Sequence, residues 1–168
     1  MIKIIATLLT LFAFNTSHAK TVNVGIILGF TGPIESLTPD MAAGAELAFN
    51  EASNSGEFLN GSKINIIRAD STCIDSAAAT SAAEGLVSQG VTAIMGADCS
   101  GVTGAILSNV AVPNGVPMIS PSATSPGLTT AEDNGLFFRT APSDARGGEV
   151  LADITADKGI TSVAITYV

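Results

Sequence analysis

The stretch from Ala93 to Thr124, AIMGADCSGVTGAILSNVAVPNGVPMISPSAT, leaves few folds open to this chain. An apolar run ends at Gly96, and a cysteine and a serine follow it. A helix-like pattern comes next, then a second apolar run from Val116 to Ile119, then a loop of small hydroxyl residues. This reads as strand, loop, helix, strand, loop, with both loops leaving the same edge of a sheet. Open parallel sheets hold ligands in a crevice at that edge.

The rest of the chain repeats the alternation. Val22 to Leu28 reads as a buried strand, and Gly29 to Pro33 as a turn-rich loop. Thr38-Pro39 reads as a helix start, with Thr38 as cap and Met41, Ala45, Ala48 and Ala52 on one face. Lys63 to Arg68 is a second strand, with Asp70 to Cys73 as its exit loop. Asp75 caps a helix running to Gln89, with Ala79, Ala82, Ala83, Leu86 and Val87 inward and Gly90 as terminator. Val91 to Met95 is the third strand. Ser100 is expected to cap a helix from about Gly101 to Val112, and Val116 to Ser120 is the fourth strand, leading into the loop Pro121 to Asn134. After Leu136 to Thr140, Ser143-Asp144 starts a helix reaching Lys158, and Ser162 to Val168 reads as one more strand. Strands alternating with helices at this spacing predict an α/β fold, a Rossmann-like three-layer parallel sheet with helices on both faces. A buried strand at the end of the chain, with no helix to cover it, suggests the start of a second lobe that is cut short.

The N-terminus reads as a leader rather than as part of the fold. Lys3 gives a short basic start, and Ile4 to Phe14 is apolar but shorter than the roughly 20 residues a bilayer span needs. Ser17-His18-Ala19 has the small-x-small form of a cleavage site, so cleavage is expected after Ala19. Cleavage would remove the only histidine. It would also remove Lys3 and leave the chain more acidic than its formal charge of -8. Two cysteines remain, Cys73 and Cys99. An even count in an exported chain points to a disulfide, the alternative being two buried thiols.

Composition and motifs narrow the chemistry. Seven scattered Lys and Arg residues give no basic patch for nucleic acid, and the acidity serves solubility. With 46% hydrophobic residues, 5% aromatics and no Trp, the core is small and aliphatic. There is no G-x-S-x-G elbow, no phosphate-binding G-x-x-x-x-G-K-[ST] loop and no H-E-x-x-H. Gly25, Gly29 and Gly32 do not make the dinucleotide G-x-G-x-x-G spacing. With no histidine in the mature chain, a Ser-His-Asp triad cannot form from it. Asp70, Asp75 and Asp98 lie on loops of one edge and are explained by turns and helix caps. Neither a metal nor a cofactor is expected. Binding is better served. Ser100 sits where a helix begins, so its hydroxyl and the first-turn N–H groups suit a carboxylate. Ser122, Ala123 and Thr124 leave the fourth strand on the same edge, where carbonyls and a hydroxyl suit an ammonium. The pair fits a zwitterion.

Five segments together carry a resemblance: VGIILGFTGP, AGAELAFNEAS, the loop pair around Cys73 and Cys99, PMISPSATSPGLT and FFRTAPSDARGG. The chain resembles, from about Val22 to Val168, the type I periplasmic substrate-binding proteins of branched-chain amino acid ABC transporters and the related receptor ligand-binding regions. The resemblance implies two Rossmann-like lobes joined by hinge strands, with ligand closing the cleft between them. It implies a leader over residues 1–19 and an N-terminal ligand-binding lobe over 20–140. Residues 141–168 would then be a hinge crossing with the first helix and strand of a truncated second lobe, the crossing itself beginning near Phe138 to Ser143. By the same resemblance Ser100 meets the ligand's α-carboxylate, Ser122, Ala123 and Thr124 contact carboxylate and amine, and Cys73 and Cys99 form a disulfide. The loop after the first strand supplies an aromatic near the side-chain pocket in such proteins, and Leu37 stands at the nearest position here. The acidic partner of the ammonium is expected from the second lobe.

The function so implied is that of a non-enzymatic solute receptor. It would bind an amino acid or similar polar metabolite in the periplasm of a Gram-negative bacterium and deliver it to ABC permease membrane subunits. Once the leader is removed it would not itself insert in the membrane. The alternative on the same fold is a sensor or regulator of an amide, urea or amino acid. A secreted hydrolase with a histidine elsewhere is a third reading that no motif favours.

Overall fold

The computed structural model describes residues 19–165. The leader read at the N-terminus lies, apart from Ala19, outside the described residues. Five parallel strands form one sheet in the order β2-β1-β3-β4-β5, with β1 at Thr21–Leu28, β2 at Lys63–Asp70, β3 at Val91–Gly96, β4 at Met118–Ser120 and β5 at Phe137–Arg139. β1 is an inner strand with helices over both faces of the sheet, so from Val24 on both of its faces are buried. Ile26 and Leu28 point one way and Ile27 the other, and all three are fully buried.

The two faces carry different helices. α1, Thr38–Asn54, packs over β1 and β2 around Ile26, Leu28 and Ala42, with Met41, Ala45 and Phe49 at its margin. α2, Ser76–Ser88, and α3, Ser100–Ile106, cover the other face through Ala79, Ala83, Leu86, Val102 and Ile106. Alanines on α2 allow it to lie close to the sheet, and Gly25 on β1 completes the fit. A Cβ there would meet Leu86 Cδ1 at 2.8 Å. α3 runs on through a π turn, Leu107–Ala111, into the short α4, Val112–Asn114. Pro113 has no N–H to offer that helix, and the wider turn places the Val112 N–H on the Leu107 carbonyl instead.

Several local expectations need correction. Thr38 is not a cap: Leu37 holds the cap position, without a side-chain bond, and Thr38 is the first residue of α1. Its buried hydroxyl donates to the Gly29 carbonyl at 3.1 Å. At the other end of α1 the Ser53 hydroxyl accepts from the Ile64 N–H at 3.1 Å. These two ties set the rotation of the helix, so its inward line is Thr38, Ala42 and Ser53, with Ala48 exposed. The fourth strand is also shorter than its apolar run, because only Met118 to Ser120 find partners. Residues 162–165, expected as a strand, form none, and residues 166–168 lie outside the described set. α5, Asp144–Asp157, is capped by the Ser143 hydroxyl, as its sequence predicts, and buries none of its residues.

Candidate functional site

All strands being parallel, their carboxyl ends share one edge, and the loops after β1, β2, β3 and β4 converge there. The chain order reverses between β1 and β3, the switch point at which such sheets open a crevice. A cavity of about 670 Å³ lies at this edge, lined by Ile34, Leu37, Met41, Asp98, Cys99, Ser100, Ser122, Thr124 and Asp144. Its polar groups are hydroxyls and carboxylates, and none of these lining residues is basic. Two further grooves, of about 320 and 450 Å³, lie on the α1 side of the sheet around Phe49, Met95 and Ile119. They are apolar, and the smaller one reaches the strand exits at Ser120, Pro121 and Thr140.

The loops that build this wall are tied to one another. Cys73 and Cys99 form a disulfide that joins the exit loop of β2 to that of β3. Thr72 and Cys73 both adopt left-handed backbone, with φ of 57° and 71°. Asp70 supports that turn: its carboxylate accepts from the Thr72 N–H at 2.8 Å and from the Thr31 hydroxyl at 2.6 Å. Burial is the largest single influence on Asp70 and opposes its ionisation. The Thr31 hydroxyl and the N–H groups of Thr72, Thr31 and Phe30 together outweigh it and hold the carboxyl below its usual range. β3 ends on Gly96, whose φ of +127° only glycine adopts with ease. A Cβ there would lie 1.9 Å from the Ile27 carbonyl oxygen.

Four of the five residues read as binding groups reach the cavity. Ser100 is the first residue of α3 rather than its cap. The cap position belongs to Cys99, and the Ser100 hydroxyl accepts from the Ser125 N–H at 3.1 Å. It therefore links the β3 exit loop to the β4 exit loop, which a capping bond would not do. The Ser122 hydroxyl donates to the Asp98 carbonyl at 3.0 Å, and the Thr124 hydroxyl donates to the Asp144 carboxylate at 2.8 Å. Leu37 lines the cavity with 56% of its surface exposed, an apolar group open to contact. Ala123 is fully buried behind the wall. Its N–H donates to the Ser120 hydroxyl at 2.9 Å, and its carbonyl accepts from Arg139 at 3.2 Å. Asp144, absent from the candidates read in sequence, belongs to the cavity. The Thr-x-Pro-Ser-Asp run from Thr140 offered a signal only as a helix start, because nothing local says that this helix begins beside Thr124.

Comparison with known proteins gives this geometry a family. Residues 21–168 match the periplasmic binding protein family. The chain belongs to it. Within the family it sides with the proteins of branched-chain amino acid transport. It is 33% identical over 142 residues to the Leu/Ile/Val-binding protein homolog 3 of Brucella melitensis, covering 83% of this chain and 37% of that protein. The isoleucine-bound crystal structure of the branched-chain amino acid transporter substrate-binding protein LivJ from Streptococcus pneumoniae superposes with a TM-score of 0.72. That match is at 32% identity and covers 82% of this chain and 38% of that one. A solute-binding protein of an ABC transporter from Rhodopseudomonas palustris, in complex with 3,4-dihydroxybenzoic acid, gives a TM-score of 0.71 at 26% identity. It covers 83% of this chain and 37% of that one. The chain thus spans under two-fifths of the length of these relatives. Among its described residues no helix is long and apolar enough to cross a membrane.

Proposed function

We propose that this chain forms one wall of an amino-acid-binding cleft in the periplasmic receptor of an ABC transporter, which passes its ligand to a membrane permease. The observation that carries the reading is the cavity at the strand-exit edge, where Ser100, Ser122 and Thr124 stand together beside Asp144 and an apolar flank of Ile34, Leu37 and Met41. The Ser100 hydroxyl, at the N-terminal end of α3, suits a carboxylate. The Thr124 oxygen and the Asp144 carboxylate, 2.8 Å apart, suit an ammonium. The apolar flank suits an aliphatic side chain, in keeping with the isoleucine held by the Streptococcus pneumoniae relative. An aromatic acid such as that held by the Rhodopseudomonas palustris relative has no ammonium to set against Asp144, and this wall offers it no basic side chain.

Substitution of the two hydroxyl residues tests the site. Ser100→Ala and Thr124→Ala should each weaken the binding of L-leucine, L-isoleucine or L-valine by about 1–3 kcal/mol, because each leaves a partner group unpaired. Affinities unchanged in both variants would refute the assignment.

A further inference from the structure

Asp98 is only 2% exposed, yet it carries a carboxylate. Burying such a charge is destabilising unless its oxygens are well bonded, so its partners matter. Its Oδ2 accepts from the Gly29 N–H at 2.7 Å, and its Oδ1 accepts from the Cys99 N–H at 2.9 Å and from the Ser71 hydroxyl at 3.3 Å. Its own backbone carbonyl accepts from the Ser122 hydroxyl at 3.0 Å. Gly29 follows β1, Ser71 follows β2, Cys99 follows β3 and Ser122 follows β4. A single residue therefore ties all four exit loops that build the cavity. The approach is close: a Cβ on Gly29 would sit 3.4 Å from Asp98 Oδ2 and 3.2 Å from the Cys73 Cβ.

We propose that Asp98 is the positioning residue of the ligand wall, holding the Ser100 and Ser122 segments in the relative placement that the ligand requires. The proposal rests on the amino-acid-binding reading above. Asp98 acts through its neighbours: its carboxylate fixes the N–H of Cys99, the residue before Ser100, and its carbonyl fixes Ser122. A displacement of about 1 Å between such groups is enough to lose a productive site. An amide cannot replace the acid. Both carboxylate oxygens face donors, so an asparagine in either orientation turns its NH2 group onto Gly29 or onto Cys99 and Ser71.

The test is Asp98→Asn in the exported protein, read in two ways. Calorimetry with L-leucine, L-isoleucine and L-valine should show affinity reduced by about tenfold or more. The control Glu46→Gln, which breaks an exposed ion pair with Arg68, should bind as the wild type does. Without ligand, backbone amide resonances of Gly29 and Cys99 should shift together with those of residues 122–125. A role in stability alone would lower the melting temperature and leave affinity well below that temperature unchanged. Wild-type affinity in Asp98→Asn, or resonances of residues 122–125 that stay in place, overturns the proposal. If the wild-type protein binds none of the three amino acids, the functional reading fails and the resonances still decide. Shifts reaching residues 122–125 uphold the tie between loops, and shifts confined to Gly29, Ser71 and Cys99 overturn it. Should Asp98→Asn not fold, Ser71→Ala removes one donor only. A smaller loss of affinity with shifted resonances at residues 122–125 upholds the proposal, and wild-type affinity or unmoved resonances there overturn it.

Discussion

Removing the Cys73–Cys99 disulfide should destabilise the protein and loosen the site in one step. The bridge closes a loop with a sequence separation of 26 residues. In the chain-entropy description, a loop of that length restricts the unfolded chain by about 3.5 kcal/mol at 25 °C. For a chain of this size, that is roughly 7–14 °C in melting temperature. The double variant Cys73→Ser/Cys99→Ser avoids a lone reactive thiol and is compared with the wild type in urea titrations, each with and without a reductant. The wild-type midpoint should fall on reduction to that of the variant, and the variant should ignore the reductant. The functional consequence follows from placement. Cys99 precedes Ser100 and holds the cap position of α3, so the reduced protein should also bind the proposed amino acid ligand more weakly. Coincident urea midpoints for wild type and variant under non-reducing conditions would refute the reasoning, since the loop constraint would then contribute nothing.

Two further substitutions probe the scaffold beneath the site. Asp70 has its carboxyl held below the usual range in the folded state, so its contribution is present above the unfolded value of about 3.9 and is lost as pH falls through the lower folded value. Asp70→Asn should therefore cost about 1–2 kcal/mol at pH 7, allowing for partial exposure, and the gap to the wild type should close in chemical denaturation below about pH 4. A gap that is constant with pH would contradict the assignment. Gly96→Ala places a methyl group 1.9 Å from the Ile27 carbonyl oxygen at a φ of +127°, and should cost more than about 3 kcal/mol or abolish soluble expression. A wild-type melting temperature for this variant would contradict the close approach of β3 to β1.

The layering was legible because period and punctuation agree along most of the chain. The β1 run, the Asp75 cap and the Ala79-Ala83-Leu86 line all appear where their spacing places them. What escaped depends on contacts between distant segments. The rotation of α1 is set by Thr38 and Ser53 bonding to Gly29 and Ile64, and no count of apolar residues reveals that. Ser100 has the position of a cap and a different partner, because Ser125 comes to it from another loop. Ser122 and Thr124 line the cavity at the edge where small hydroxyl residues after an apolar run mark a strand exit. Asp98 and Asp144 line the same cavity with no sequence signal that places them there. An acid in a loop looks the same in sequence whether it closes a turn or joins four loops.

The central claim is that this wall is built for a zwitterionic aliphatic amino acid. Isothermal titration of the full chain with L-leucine, L-isoleucine, L-valine and benzoate tests it most directly. Saturable heat with at least one of the three amino acids, with affinity weakened in Thr124→Ala by about 1–3 kcal/mol, and none with benzoate is the predicted result. Saturable heat with benzoate and none with any of the three amino acids would contradict it.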